Sequence, residues 1–208
     1  MRKTLLAAAL LALAPMTAAA AEDLSYTWVE AGWTQSRIND DLLDDPDLDG
    51  AYIRGSYRIA YQAYVFGAWS KVSTTQRYAG GVSADLDLQQ PELGIGYLLP
   101  MSDRVDFTAD IAWTRQTAEL TLKEPGYADY RQKDSFNAAR GTFGVRTKPS
   151  YRTELWVKAG YLDGSDMDGT WVGNIGGKVD FTPMWGLVGE VQVVEDITRF
   201  SAGIRASF

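Results

Sequence analysis

The sequence predicts an all-β fold, a closed antiparallel transmembrane β-barrel of about ten strands, with eight as the alternative count. Three observations predict it. Apolar and polar residues alternate with period two in segment after segment, as strands with two unlike faces require. Past residue 21 there is no run of roughly 18 apolar residues, the length a helix needs to cross a bilayer. Short links alternate with longer polar ones along the chain, as in a barrel with turns at one rim and loops at the other.

The chain opens with Arg2 and Lys3, an apolar stretch from Leu5 to Ala14 and small residues ending at Ala19, Ala20 and Ala21. This order of charge, apolar run and small residues predicts a cleaved signal peptide over 1–21, a mature start at Glu22 and one barrel domain over 22–208. Cleavage removes two cations, taking the net charge from −7 to −9. That balance gives no basic footprint for nucleic acid. With no cysteine and no histidine, the chain has no disulfides, no zinc-thiolate site and no Ser-His-Asp triad, and no enzyme is expected. Eleven tyrosines, seven tryptophans and twenty glycines suit strands with interfacial rings.

Strands are read in order from Leu24 to Thr34, Ala51 to Ile59, Tyr64 to Thr74, Glu92 to Leu98, Val105 to Thr114, Ala139 to Arg146, Glu154 to Tyr161, Trp171 to Phe181, Gly186 to Val194 and Arg199 to Phe208. In the second, Ala51, Ile53, Gly55, Tyr57 and Ile59 oppose Tyr52, Arg54, Ser56 and Arg58. In the third, either face could point outward. Around Gln89, Gln90 and Pro91 the alternation changes parity, and Pro91 lacks a donor, so a bulge or strand start is expected there. The fifth strand sets Val105, Phe107, Ala109, Ile111 and Trp113 against Asp106, Thr108, Asp110, Ala112 and Thr114. The seventh sets Leu155, Val157, Ala159 and Tyr161 against Glu154, Trp156, Lys158 and Gly160. The last sets Phe200, Ala202, Ile204, Ala206 and Phe208 against Arg199, Ser201, Gly203, Arg205 and Ser207.

Short links are expected near Ala60 to Gln62, Pro100 to Asp103, Lys148 to Tyr151 and Thr182 to Met184. Longer ones are expected near Arg37 to Leu48, Ser73 to Asp85, Leu120 to Asp134 and Leu162 to Gly169, with a tight turn at Glu195 and Asp196. Closure follows because a sheet edge in hydrocarbon would leave N–H and C=O groups unpaired. A soluble periplasmic ligand-binding barrel would need the two faces reversed.

The stretch W-V-G-N-I-G-G-K-V-D-F-T-P-M-W-G-L-V-G-E-V-Q from Trp171, closing on R-F-S-A-G-I-R-A-S-F at Phe208, resembles the small outer-membrane β-barrel family of xanthomonads and their relatives, of the OmpA and OmpX type. L-S-Y-T-W-V-E-A-G-W from Leu24, Y-V-F-G-A-W-S from Tyr64 and G-I-G-Y from Gly94 resemble it too. The resemblance implies an outer-membrane location and a barrel fold. The long Leu120 to Asp134 segment and Pro91 depart from its pattern. The terminal aromatic strand ending at Phe208 resembles the signal read by the barrel-assembly machinery. Lipid and lipopolysaccharide are the expected surroundings, and a monomer the expected state.

With the apolar faces toward lipid, the interior collects Glu30, Arg54, Arg58, Glu92, Asp106, Asp110, Arg140, Arg146, Glu154, Lys158, Lys178, Glu190, Arg199 and Arg205. Both signs are present, so a salt-bridged interior is expected, with a narrow passive channel for ions or small solutes as the alternative. Asp106 and Asp110, four residues apart on one strand, stand roughly 13 Å apart, too far to share a proton. The acidic segment Asp40, Asp41, Asp44, Asp45, Asp47 and Asp49 contains D-P-D-L-D-G, like the start of an EF-hand loop. Its twelfth position is Ser56, not Glu, and a strand follows, so the segment reads as a solvated charged loop tip, with weak divalent-ion bridging to lipopolysaccharide phosphates as the alternative. Trp28, Trp33, Trp69, Trp113, Trp171, Trp185, Tyr97 and Tyr161 are assigned to aromatic girdles.

Overall fold

In the computed structural model, residues 24–38, 47–78, 81–165 and 167–208 are described. Among them ten strands form: β1 (Trp28–Ile38), β2 (Asp47–Ala60), β3 (Ala63–Arg77), β4 (Ser83–Ser102), β5 (Val105–Lys123), β6 (Tyr130–Ser150), β7 (Thr153–Gly164), β8 (Met167–Asp180), β9 (Trp185–Val194) and β10 (Ile197–Ser207). Each pairs antiparallel with its sequence neighbours, and β1 pairs with β10 to close the barrel.

Closure is staggered. The rung Asp134, Ala118, Leu88, Val72, Gly50, Thr34, Ser201, Glu190, Gly176, Trp156 returns to β6 at Arg146, twelve residues from where it left. A stagger of that size over ten strands tilts them by about 40° and narrows the lumen to a width that side chains can fill.

The face assignment follows the alternation. On β5, Ile111 is 68% exposed while its neighbours Asp110 and Ala112 are buried. Leu93, Ile95, Tyr97 and Leu99 stand outward on β4 in the same way. Apolar exposure on this scale with charges buried is the reverse of a soluble barrel and sets aside that alternative. On β3, the strand left open by the sequence, Tyr64 and Val72 are buried inside and Trp69 faces out.

Three expectations are corrected. The first strand begins at Trp28, not Leu24, because the chain before it dips into the periplasmic mouth. There Leu24 and Tyr26 pack with Tyr64 and Leu98, and Ser25 Oγ donates to the Phe208 carbonyl. Leu98 is fully buried, worth about 2 kcal/mol of apolar transfer.

No bulge forms at Pro91. The β4–β5 ladder omits Gln90 and Pro91 yet keeps its register on both sides. Side chains take over the missing bonds: Thr114 Oγ1 donates to the Pro91 carbonyl at 3.1 Å, and Gln90 Nε2 donates to Thr114 Oγ1 at 3.2 Å. The register shifts lie elsewhere, at Arg58/Ala60, Pro100/Ser102 and Thr147/Ser150 beside the short turns, and at Leu162/Gly164.

The long outer segments are mostly strand. Pairing of β3 with β4 runs out to Arg77 and Ser83, and that of β5 with β6 to Leu122 and Tyr130. Leu86 pairs with Leu120 in this extension, and Lys123 reaches Asp85 across it at 2.7 Å.

Candidate functional site

Among the described residues, the lumen is where charge is concentrated and enclosed. It is built because every second residue of each strand must face inward, and those positions carry most of the strands' acids and bases. Near the periplasmic floor, Glu154 accepts from Arg146 at 2.5 Å and pairs with Lys178 at 2.8 Å. Lys178 also lies 3.1 Å from Asp180 and donates to Ser207 Oγ. Tyr26 donates to Asp106 at 2.9 Å, and the Arg146 guanidinium lies over its ring at 4.8 Å.

One level up, Glu30 is the hub. It pairs with Arg54 and with Arg205, each at 2.6 Å, and accepts from the Tyr52 hydroxyl at 2.7 Å. Arg54 turns its other nitrogen to Glu190 at 2.5 Å, and Trp156 Nε1 donates to the second oxygen of Glu190 at 2.9 Å. Arg205 is held between the rings of Trp28 (4.1 Å) and Trp156 (5.0 Å). Asp110 pairs with Lys158 at 2.6 Å and accepts from the Tyr64 hydroxyl. Toward the outer rim, Arg140 pairs with Glu92 at 2.7 Å, and Arg199 Nε donates to Ser36 Oγ at 3.2 Å. A cavity of ≈ 200 Å³ remains among these groups, lined by Tyr52, Arg54, Gln90, Asp110, Glu190 and Arg199 among others.

Thirteen of the fourteen charged residues expected inside line this network. Arg58 has the inward parity but stands exposed at the periplasmic mouth, its guanidinium donating to the Tyr61 carbonyl. Trp28, assigned to a girdle, instead points inward, because it shares parity with Glu30 and stacks on Arg205. Trp33, Trp69, Trp113, Trp171, Trp185, Tyr97 and Tyr161 are exposed on the outside, as expected of girdle rings.

The tyrosine hydroxyls of Tyr26, Tyr52 and Tyr64 were missed as lumen partners, although Tyr52 alternates in step with Arg54. Lys148 and Asp180 were also missed; Lys148 is buried and Asp180 joins the Lys178 cluster. Asp40, Asp41, Asp44 and Asp45 lie outside the described residues. Asp47 and Asp49 are part of β2, and Asp47 is bound by Arg37 at 2.9 Å.

Chemically, this arrangement holds charge in place. Asp106 and Asp110 take separate partners, and the luminal carboxylates from Glu30 to Glu190 are each tied to a cation or a tyrosine hydroxyl. Among the described residues no cluster of three or more acids is placed to hold a metal.

Above the outer girdle the charges sit in water. On β5 the outward apolar positions end at Trp113, and Arg115 follows; Asp85 pairs with Thr121, six residues beyond. The Lys123 ammonium and then the Thr75 hydroxyl, both donating to Asp85, hold its carboxyl below the usual range. The Arg37 guanidinium does the same for Asp47.

The fold has solved counterparts. The translocator domain of the autotransporter NalP from Neisseria meningitidis superposes with a TM-score of 0.57 at 10% identity, covering 88% of each chain. The attachment invasion locus protein Ail of Yersinia pestis gives 0.49 at 11% identity, over 88% of this chain and 97% of that one. Neisserial surface protein A gives 0.46 at 14%, over 88% and 98%. At these identities the likeness speaks for the fold alone. No curated protein matches the chain at a significant level. The family model described as the outer membrane protein beta-barrel domain matches residues 6–203. With its lipid-facing apolar wall and closed ten-stranded sheet, the chain resides in the outer membrane and belongs to the outer membrane protein β-barrel domain family.

Proposed function

We propose that this protein is a sealed, non-enzymatic outer-membrane anchor that presents its outer strands and loops for surface and envelope interactions. The observation that carries this reading is the paired lumen: Glu30, Glu92, Asp110, Glu154 and Glu190 each hold a cation within 3 Å. Opening a path through it would break several buried pairs, each costing about 3 to 5 kcal/mol. The extension of β3 to β6 beyond the girdle supplies the exposed surface such an anchor needs.

The surrounding partners follow the same reading. Residues 1–21 act as a signal peptide that is removed. The C-terminal strand ending at Phe208 serves recognition by the barrel-assembly machinery. Lipid and lipopolysaccharide surround a monomer, the acidic segment from Asp40 to Asp49 bridges lipopolysaccharide phosphates through a divalent cation, and nucleic acid is no partner of so acidic a chain. Within the family, the strand motifs from Trp171 to Phe208 support kinship with the small barrels of xanthomonads.

The ≈ 200 Å³ cavity favours a second reading, a narrow channel for ions or small solutes. Liposome swelling separates the two. Vesicles holding the refolded barrel swell in a small sugar no faster than empty vesicles if the anchor reading holds, and measurably faster if the lumen conducts.

A further inference from the structure

Six cations of the lumen are matched by carboxylates, and a seventh, Arg199, is not. Arg54, Arg140, Arg146, Lys158, Lys178 and Arg205 each hold a carboxylate. Arg199 makes no ion pair among the described residues, and its only hydrogen bond is the neutral one to Ser36 Oγ. The carboxylates in its electrostatic reach are Glu92 and Glu190. Both are committed, Glu92 to Arg140 and Glu190 to Arg54 and Trp156. Counting Arg140 and Arg199 against Glu92, the outer layer of the lumen keeps one positive charge in excess.

That charge faces space. Arg199 lines the ≈ 200 Å³ cavity together with Gln192, Asn174 and Ser201. Arg199 pairs with Gln192 across β10–β9, and Gln192 with Asn174 across β9–β8, so the three side chains stand on one inward rung. Desolvating a guanidinium without a counter-charge is unfavourable. The cavity continues from Arg199 down toward Arg146 and Tyr26 and holds space for several waters, the scale of a small solute.

We infer that the outer lumen is a binding site for a small monovalent carboxylate, held by its carboxylate on Arg199. The single excess charge selects a monoanion, since a dianion would bring unbalanced negative charge against Glu92 and Glu190.

The test is an NMR titration of the detergent-refolded barrel with sodium lactate at fixed ionic strength, read at the arginine Nε–H resonances, with glycerol as the uncharged probe. Arg199 is expected to shift saturably with lactate and not with glycerol. Arg199→Gln is expected to weaken lactate binding at least tenfold. No saturable shift at Arg199 in the unaltered protein would overturn the proposal without recourse to any variant. So would equal shifts with glycerol, or an unchanged isotherm in Arg199→Gln.

Discussion

Glu30 and Arg205 stand 175 residues apart in sequence and meet at 2.6 Å across the β1–β10 seam, where they are direct register partners. The same ion pair that neutralises the lumen therefore also fastens the strand pair that closes the barrel. Because Glu30 also holds Arg54 and the Tyr52 hydroxyl, its removal leaves two cations facing each other in a water-poor interior.

Glu30→Gln is accordingly expected to destabilise the barrel by about 3 kcal/mol or more, the cost of leaving a buried pair half-made. Urea unfolding in lipid vesicles, followed by loss of heat-modifiable gel mobility, measures it. A change below about 1 kcal/mol would mean that water already screens the hub.

The outer sheet extension should respond to acid through Asp85. Its carboxyl titrates below the usual range because Lys123 and Thr75 donate to it, so it binds fewer protons folded than unfolded, and its contribution is complete above the ordinary carboxylate pKa. That contribution fades only as pH falls through the lowered value. Amide exchange at Leu86 and Leu120 is expected to stay slow at neutral pH and quicken in strong acid, while Asp85→Asn shows no such transition.

Glu195, in the two-residue turn between β9 and β10, has φ of 52°, a left-handed conformation that disfavours a side chain. Glu195→Gly is expected to stabilise the barrel by about 1 kcal/mol by relieving it. The urea midpoint should rise with an unchanged slope.

Gly176 faces the lumen beneath the Trp156 indole, and a methyl group there would overlap the ring. Gly176→Ala should push Trp156 off Glu190 and cost roughly 1 to 3 kcal/mol as overpacking. The loss of the indole N–H to carboxylate bond can be read from the Trp156 Nε1 proton shift.

Much of this was legible in the sequence where the bilayer imposes two unlike faces. The alternation in Val105 to Thr114 and Arg199 to Phe208 set the parity of the lumen, and parity alone placed Glu30, Asp110, Glu154 and Arg205 together inside. It failed where that contrast disappears. From Ser73 to Asp85 and from Leu120 to Asp134 both faces meet water, so a polar strand and a polar loop read alike, and only cross-strand pairs such as Lys123 with Asp85 reveal the strand. Trp28 was misplaced because a ring suits lipid and a guanidinium equally. The paired geometry of Tyr64 with Asp110 joins β3 to β5, a contact that depends on barrel curvature and has no trace in local periodicity.

Planar-bilayer conductance of the refolded protein tests most directly whether the lumen is sealed, once heat-modifiable mobility confirms a folded barrel. A paired lumen predicts a folded barrel with no steady current, and discrete currents only after Glu154→Gln or Glu30→Gln loosens the floor or the hub. Steady, salt-proportional channels in the unaltered protein would contradict it and establish a pore.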